Sequence, residues 1–460
     1  MVMGLASRLR RLVAAILVPA LMIPAPAFAQ ASGKGGLPIV RDAEIEALVK
    51  DYAAPILKTA GLSRGVDIVL VNDEGFNAFV SGRRIFINIG TILQAQTPNQ
   101  VIGIIAHEVG HLKGGHQERL REQIDRAKTI AVVASLLGAG IAVAGAASSS
   151  GGMAQAGTGM MAGGGSLAQR SLLSYQRSEE STADRAALEY LRATRQSPRG
   201  LLETFEILER NNLFGGPLNR YLSSHPLPRE RVANLEAAAK ESPYWDEADS
   251  LALLQRHDLA RAKIAAYTGG ATAVRRTFSF DPRGRAAQYG DAIATHLAGS
   301  PAAALSKIDA LIASDPKSPW FQEMRGEILQ QAGRGDEAAA AYARAASLDR
   351  SGSGLLKAAE GQALVTSGSP ARMGEAIAKI REGLRADPDN ASAYRFLSMA
   401  YGKTNDIGSA ELAMAEGYWH AGNFRQAKIF ALRAQGKLKP GSPGYNQAAD
   451  ILAYDPNPKG

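Results

Sequence analysis

The 460-residue sequence contains no cysteine. That excludes a disulfide framework, a thiolate metal site and a lipid-modified N-terminal cysteine. Any metal must therefore be held by histidine and carboxylate. Histidine is also scarce, with seven in the chain. No acidic residue precedes Asp42, while Arg8, Arg10 and Arg11 stand near the start. The net charge is +8, and it falls to +5 if those three arginines are removed. So mild a balance gives no nucleic-acid footprint. The hydrophobic fraction of 46% is ample for buried cores, and the length suits two or three domains.

What is present begins with an export signal. The three arginines form a charged region, Leu12 to Ile23 an apolar one, and Ala27-Phe28-Ala29 a small-residue cleavage site. Pro24 and Pro26 break the apolar stretch, which favours cleavage after Ala29 over an uncleaved anchor. Bacterial export to the periplasm is expected. A polar tether, Ser32 to Gly36, follows, then helical spacing from Asp42 to Ala60.

The most informative stretch is His107-Glu108-Val109-Gly110-His111, which closes the apolar run Val101 to Ala106. On a helix, His107 and His111 lie one turn apart on one face, so both rings can reach one metal ion. Glu108 lies beside them, placed to act as a general base. This is the HExxH arrangement of zinc peptidases. Thr97 and Asn99 offer caps for the helix. His116 falls one residue short of the third ligand of the longer HExxHxxGxxH pattern, where Gln117 stands instead. His116 is expected to be a polar neighbour of the ligands.

Asp67 to Asn72 and Arg84 to Asn88 read as strands joined through a loop, with a turn at Ser81-Gly82. A free strand edge before an active-site helix can pair with an extended substrate; a plain hairpin fits equally well. Ile130 to Ala147 is apolar but rich in Ala and Gly, and runs into the Gly-, Ser- and Met-rich stretch 148–165. A buried or peripheral helix followed by a mobile loop is expected, with at most peripheral membrane contact through 130–165. Arg177 to Asp184 reads as the opening of an Ala- and Leu-rich helix that runs to about Arg195. Glu180 and Asp184 share one helical face. Glu180 can supply a third metal ligand, and Asp184 can hold a ligand histidine through its other ring nitrogen. A charged first turn favoured by the helix dipole is the alternative.

HEVGH, then E-S-T-A-D, then Ser224-His225-Pro226-Leu227-Pro228 resembles the HtpX-type gluzincin metallopeptidase family over roughly residues 40–240. The resemblance implies Glu108 as catalytic base and His107, His111 and Glu180 as ligands of one zinc ion per chain. Asp184 supports a ligand, and His225 becomes a candidate regulatory fourth ligand or substrate-binding residue. On sequence alone His225 is an exposed loop histidine. Tyr221 and His225 both stand near enough in sequence to stabilise an oxyanion, without a choice between them. The export signal and helical tail are similar to those of periplasmic family members. The resemblance thus implies protein substrates that are unfolded or misassembled envelope proteins, and an outer-membrane assembly complex as a possible partner. A chaperone or scaffold with latent protease activity is the rival reading.

From Ala286 the chain repeats. Asp315-Pro316, Leu348-Asp349 and Asp387-Pro388 each close an Ala-rich helix, at spacings of 34 and 38 residues. Such a period indicates tetratricopeptide-like helix pairs with a concave surface for proteins. His257, His296 and His420 sit in no motif. The expected fold is α+β and mostly helical: an HExxH zincin domain with a small edge sheet, then an all-α repeat domain. The expected divisions are a signal at 1–29, a peptidase at 30–245, a transitional segment at 246–285 and repeats at 286–460.

Overall fold

A computed structural model of the chain describes residues 37–147, 151–213, 221–222 and 225–455. The export signal, its cleavage site and the tether lie outside the described residues. Two compact units emerge. Leu48–His257 forms one, and the described residues before Leu48 join those from Asp258 onward in the other.

The first of these units is built around α3 (Pro98–Gly114), the helix that carries HEVGH. Pro98 takes its first turn, where the missing N–H costs nothing, and Gly115 ends it in the left-handed conformation. Every residue from Pro98 to His111 is buried, so the helix is covered on all sides rather than along one stripe. A small sheet stands beside it: β2 (Asp67–Val71), β3 (Ala78–Ser81) and β4 (Arg84–Asn88).

Three sequence expectations are corrected here. The two anticipated strands do not form a hairpin with one another. They run parallel, Asp67 opposite Arg84 and Val71 opposite Asn88. The hairpin is instead β3 with β4, turned at Gly82, with Phe79 stacked on Phe86 at 4.9 Å. β3 ends the strand order. Local alternation cannot reveal such pairing, because pairing is set between strands.

The second correction concerns the Gly-rich stretch. After α4 (His116–Ala147), residues Gly151–Ala193 form one 43-residue helix, α5. Residues 151–165 are thus helix, not loop. Each helical glycine costs up to about 1 kcal/mol relative to alanine, but α5 packs on α4. Val132, Val133, Leu136 and Leu137 are exposed, so that part of α4 is peripheral rather than buried. No described helix is long and apolar enough to cross a membrane. The third correction follows from the second. Glu180 and Asp184 lie well inside α5, not in a first turn, and the helix-dipole alternative falls away. The remaining elements of the unit are α2 (Ile89–Gln94), α6 (Arg199–Leu213) and α7 (Arg229–Lys240).

The other unit is a run of helices. Helix α10 (Pro301–Ser314) is followed by α11 (Pro319–Gln331) with α12 (Gly335–Leu348), α13 (Gly354–Ser367) with α14 (Met373–Ala386), and α15 (Ala391–Lys403) with α16 (Ile407–His420). Consecutive helices pack on one another through alanines such as Ala338, Ala358, Ala376 and Ala393. The N-terminal segment belongs here for an electrostatic reason. The buried Lys263 ammonium lies 2.7 Å from Asp42, 3.1 Å from Glu323 and 3.4 Å from Glu44. His420 pairs here with Asp389, while His257, the last residue of the first unit, is buried there between Tyr52 and the Ala95 carbonyl.

Candidate metal centre

Two helices make the site, and a glycine lets them meet. A Cβ on Gly110 would press into the backbone of Ala183 at about 3 Å, so the residue between the two histidines must be small. That approach sets the polar face of α5 against the HEVGH face of α3. His107 Nε2 and His111 Nε2 then stand 3.0 Å apart, each 3.4 Å from a carboxylate oxygen of Glu180. The loop before α7 adds His225, whose Nδ1 is 2.9 Å from Glu180 Oε1 and 3.5 Å from His107 Nε2. Ligand atoms of His107, His111, Glu180 and His225 all lie within 4.8 Å of one another. Three imidazole nitrogens and one carboxylate, gathered so closely inside the protein, form a donor set that fits zinc.

The outer groups are equally specific. His107 Nδ1 lies 3.0 Å from Asp184 Oδ1. His111 Nδ1 is hydrogen-bonded to His116 Nδ1 at 2.9 Å, and His116 Nε2 lies 2.7 Å from Glu179. Gln117 directs its amide to the Val80 carbonyl of β3, away from the metal cluster. Glu108 is buried, with Oε1 3.5 Å from His225 Nε2. Tyr221 is buried as well, its ring 4.6 Å from that of His225, and the backbone N–H of His225 donates to the Tyr221 carbonyl. His225 is thus enclosed, not the exposed loop residue that its place before Pro226 suggests.

The sequence reading passed over Arg231. Its guanidinium donates to both oxygens of Asp184, at 2.7 and 2.8 Å, and lies 2.8 Å from Glu180 Oε2. It also donates to the Pro226 carbonyl at 2.9 Å, so one side chain ties the His225 loop to the ligand helix. Phe205 lies beneath it, 5.7 Å away. In sequence Arg231 is one charge in Arg229-Glu230-Arg231, and nothing local marks it.

These contacts set the protonation states. Burial alone would lower His107, but Asp184 and Glu180 outweigh it and hold the ring at about 9. Burial dominates at His111 and takes it to about 3, against the pull of Glu180, leaving a neutral ring. Burial would raise Glu180, yet hydrogen bonds from His107, His111 and His225 hold it far below the ordinary carboxylate range. Burial would raise Asp184 too, but Arg231 and His107 bring it to about 2. Glu108 is pushed up by burial, with His225 and His107 opposing, which is the direction that suits a general base near neutral pH.

Comparison with known proteins agrees with this geometry. Residues 40–239 match the profile of peptidase family M48. The chain is 23% identical over 423 residues to the beta-barrel assembly-enhancing protease of Escherichia coli K12, covering 89% of this chain and 82% of that one. It is 25% identical over 385 residues to the protein of the same name from Yersinia pestis, covering 81% and 75%. A putative beta-barrel assembly-enhancing protease of Vibrio cholerae is 26% identical over 235 residues, covering 51% and 46%.

Proposed function

We propose that this chain, a metallopeptidase whose residues 40–239 belong to peptidase family M48, is an exported zinc endopeptidase of the periplasm. Its substrates are unfolded or misassembled envelope proteins, outer-membrane proteins among them. The helical repeats recruit those substrates or the machinery that assembles them. The observation that carries the reading is the convergence of His107, His111 and Glu180 beside the buried Glu108. The relatives' name, beta-barrel assembly-enhancing protease, supports the substrate class.

His107, His111 and Glu180 would hold the zinc. A zinc ion held there would supply Lewis-acid polarisation of the scissile carbonyl and make the attacking water more acidic. Glu108 accepts the proton of the attacking water and delivers it to the leaving amine. Asp184 keeps His107 presenting Nε2 inward. β3, at the end of the strand order and touching α3, offers an edge to an extended substrate backbone. Such pairing gives affinity with little sequence preference, as a protease of misfolded chains requires.

His225 bears on the second reading. Its Nδ1 sits among the three other donors, and four protein ligands describe a closed site, whereas a catalytic one keeps a position open. The rival function, holding clients with proteolysis latent, is favoured by that closure. Casein cleavage tests both. Wild type is expected to cleave slowly, to stop on chelation and to recover with zinc. His225→Ala should cleave several-fold faster. A variant no faster than wild type would remove His225 as a plug.

A further inference from the structure

We infer that His116 and Glu179 are positioning residues that fix His111 in the tautomer able to bind the metal. The inference rests on the metal reading of the site and names the residues that prepare its second histidine. His111 faces Glu180 and His107 with Nε2. To donate that lone pair to a cation, the neutral ring must carry its proton on Nδ1, and Nδ1–H needs an acceptor. The group at hydrogen-bond distance is His116 Nδ1, at 2.9 Å. Between two neutral rings that bond has two arrangements. If His116 donates, the His111 proton is forced onto Nε2 and the ligand atom is blocked. If His116 accepts, its own proton lies on Nε2, 2.7 Å from the Glu179 carboxylate. The negative charge of Glu179, 2.7 Å from Nε2, favours the proton on that nitrogen and so the second arrangement.

The backbone is shaped for this contact. The chain turns between α3 and α4 through Gly114-Gly115, with Gly115 at φ +63, and His116 folds back over the helix end. A Cβ on Gly114 would collide with the His116 ring. The spacing that imitates the longer zincin motif thus has a different use here: Gly114 makes room for a ring that supports a ligand. Glu179 is in turn 3.5 Å from Arg119. Both ligand histidines therefore have an anionic support on α5: Asp184 directly for His107, and Glu179 through His116 for His111.

Chelator competition for zinc, with imidazole ¹⁵N spectra, tests the assignment. His116→Ala should weaken zinc binding about 10- to 100-fold, the range for losing an outer partner of a ligand. His116→Asn places an amide oxygen where Nδ1 was and should restore affinity to within a few-fold of wild type. Equal weakening in both variants, or none in His116→Ala, would overturn the inference. The zinc-free wild-type spectrum needs no substitution. His111 protonated on Nδ1 is expected, and on Nε2 the inference fails. If wild type bound no zinc, the metal reading would fall, and the same spectrum would still decide the tautomer.

Discussion

Glu108→Gln should lower peptide-bond hydrolysis about 10²- to 10⁴-fold while the zinc content of the chain stays at the wild-type level. The magnitude is that of removing a general base from a water attack. The separation of the two effects follows from position. Glu108 is buried beside the cluster but is not among its four convergent donors. Glutamine keeps the shape yet cannot take a proton. The same variant separates the two functional readings. If assembly of outer-membrane clients fails in it, cleavage is the useful activity. If assembly survives, holding by the repeats is. A variant that lost zinc with activity would place Glu108 among the ligands and refute its assignment as base.

The second large effect is expected at Arg231. Arg231→Leu should cost the peptidase unit about 3–5 kcal/mol, the range for breaking a buried ion pair from one side. It should weaken zinc binding as well. The leucine leaves Asp184 without two charge-assisted bonds and Glu180 without its guanidinium. Both carboxylates stay buried. Losing the bond to Pro226 also frees the loop that holds His225. Arg231→Lys keeps the charge but not the planar fork, and should recover only part of the loss. Urea unfolding followed by the peptidase unit's signal measures this. A change under about 1 kcal/mol for Arg231→Leu would show that the guanidinium is dispensable.

What could be read from the sequence was what lies close along the chain. His107, Glu108 and His111 declare their geometry because an i, i+4 pair on a helix is a local fact. Glu180 and Asp184 are legible as a pair for the same reason. Their setting was not. Residues 151–165 look like a loop by glycine content, and only packing against α4 makes them the first turns of α5. The parallel pairing of β2 with β4, and the hairpin of β3 with β4, are relations between segments. Arg231 reaches back 47 residues to Asp184, with no periodicity to announce it. Asp42 and Glu44 belong with residues beyond 258 because Lys263 lies among their carboxylates. His116 shows the middle case. Its neighbourhood to the ligands was legible, while its contact with His111 depends on a reversal at Gly115.

Zinc bound per chain, measured in wild type and in Glu180→Ala, is the most direct test of the central claim. The expected result is one zinc per wild-type chain and loss of it in Glu180→Ala, with helix content preserved in both. Wild type without stoichiometric zinc, or Glu180→Ala with full occupancy, would contradict it.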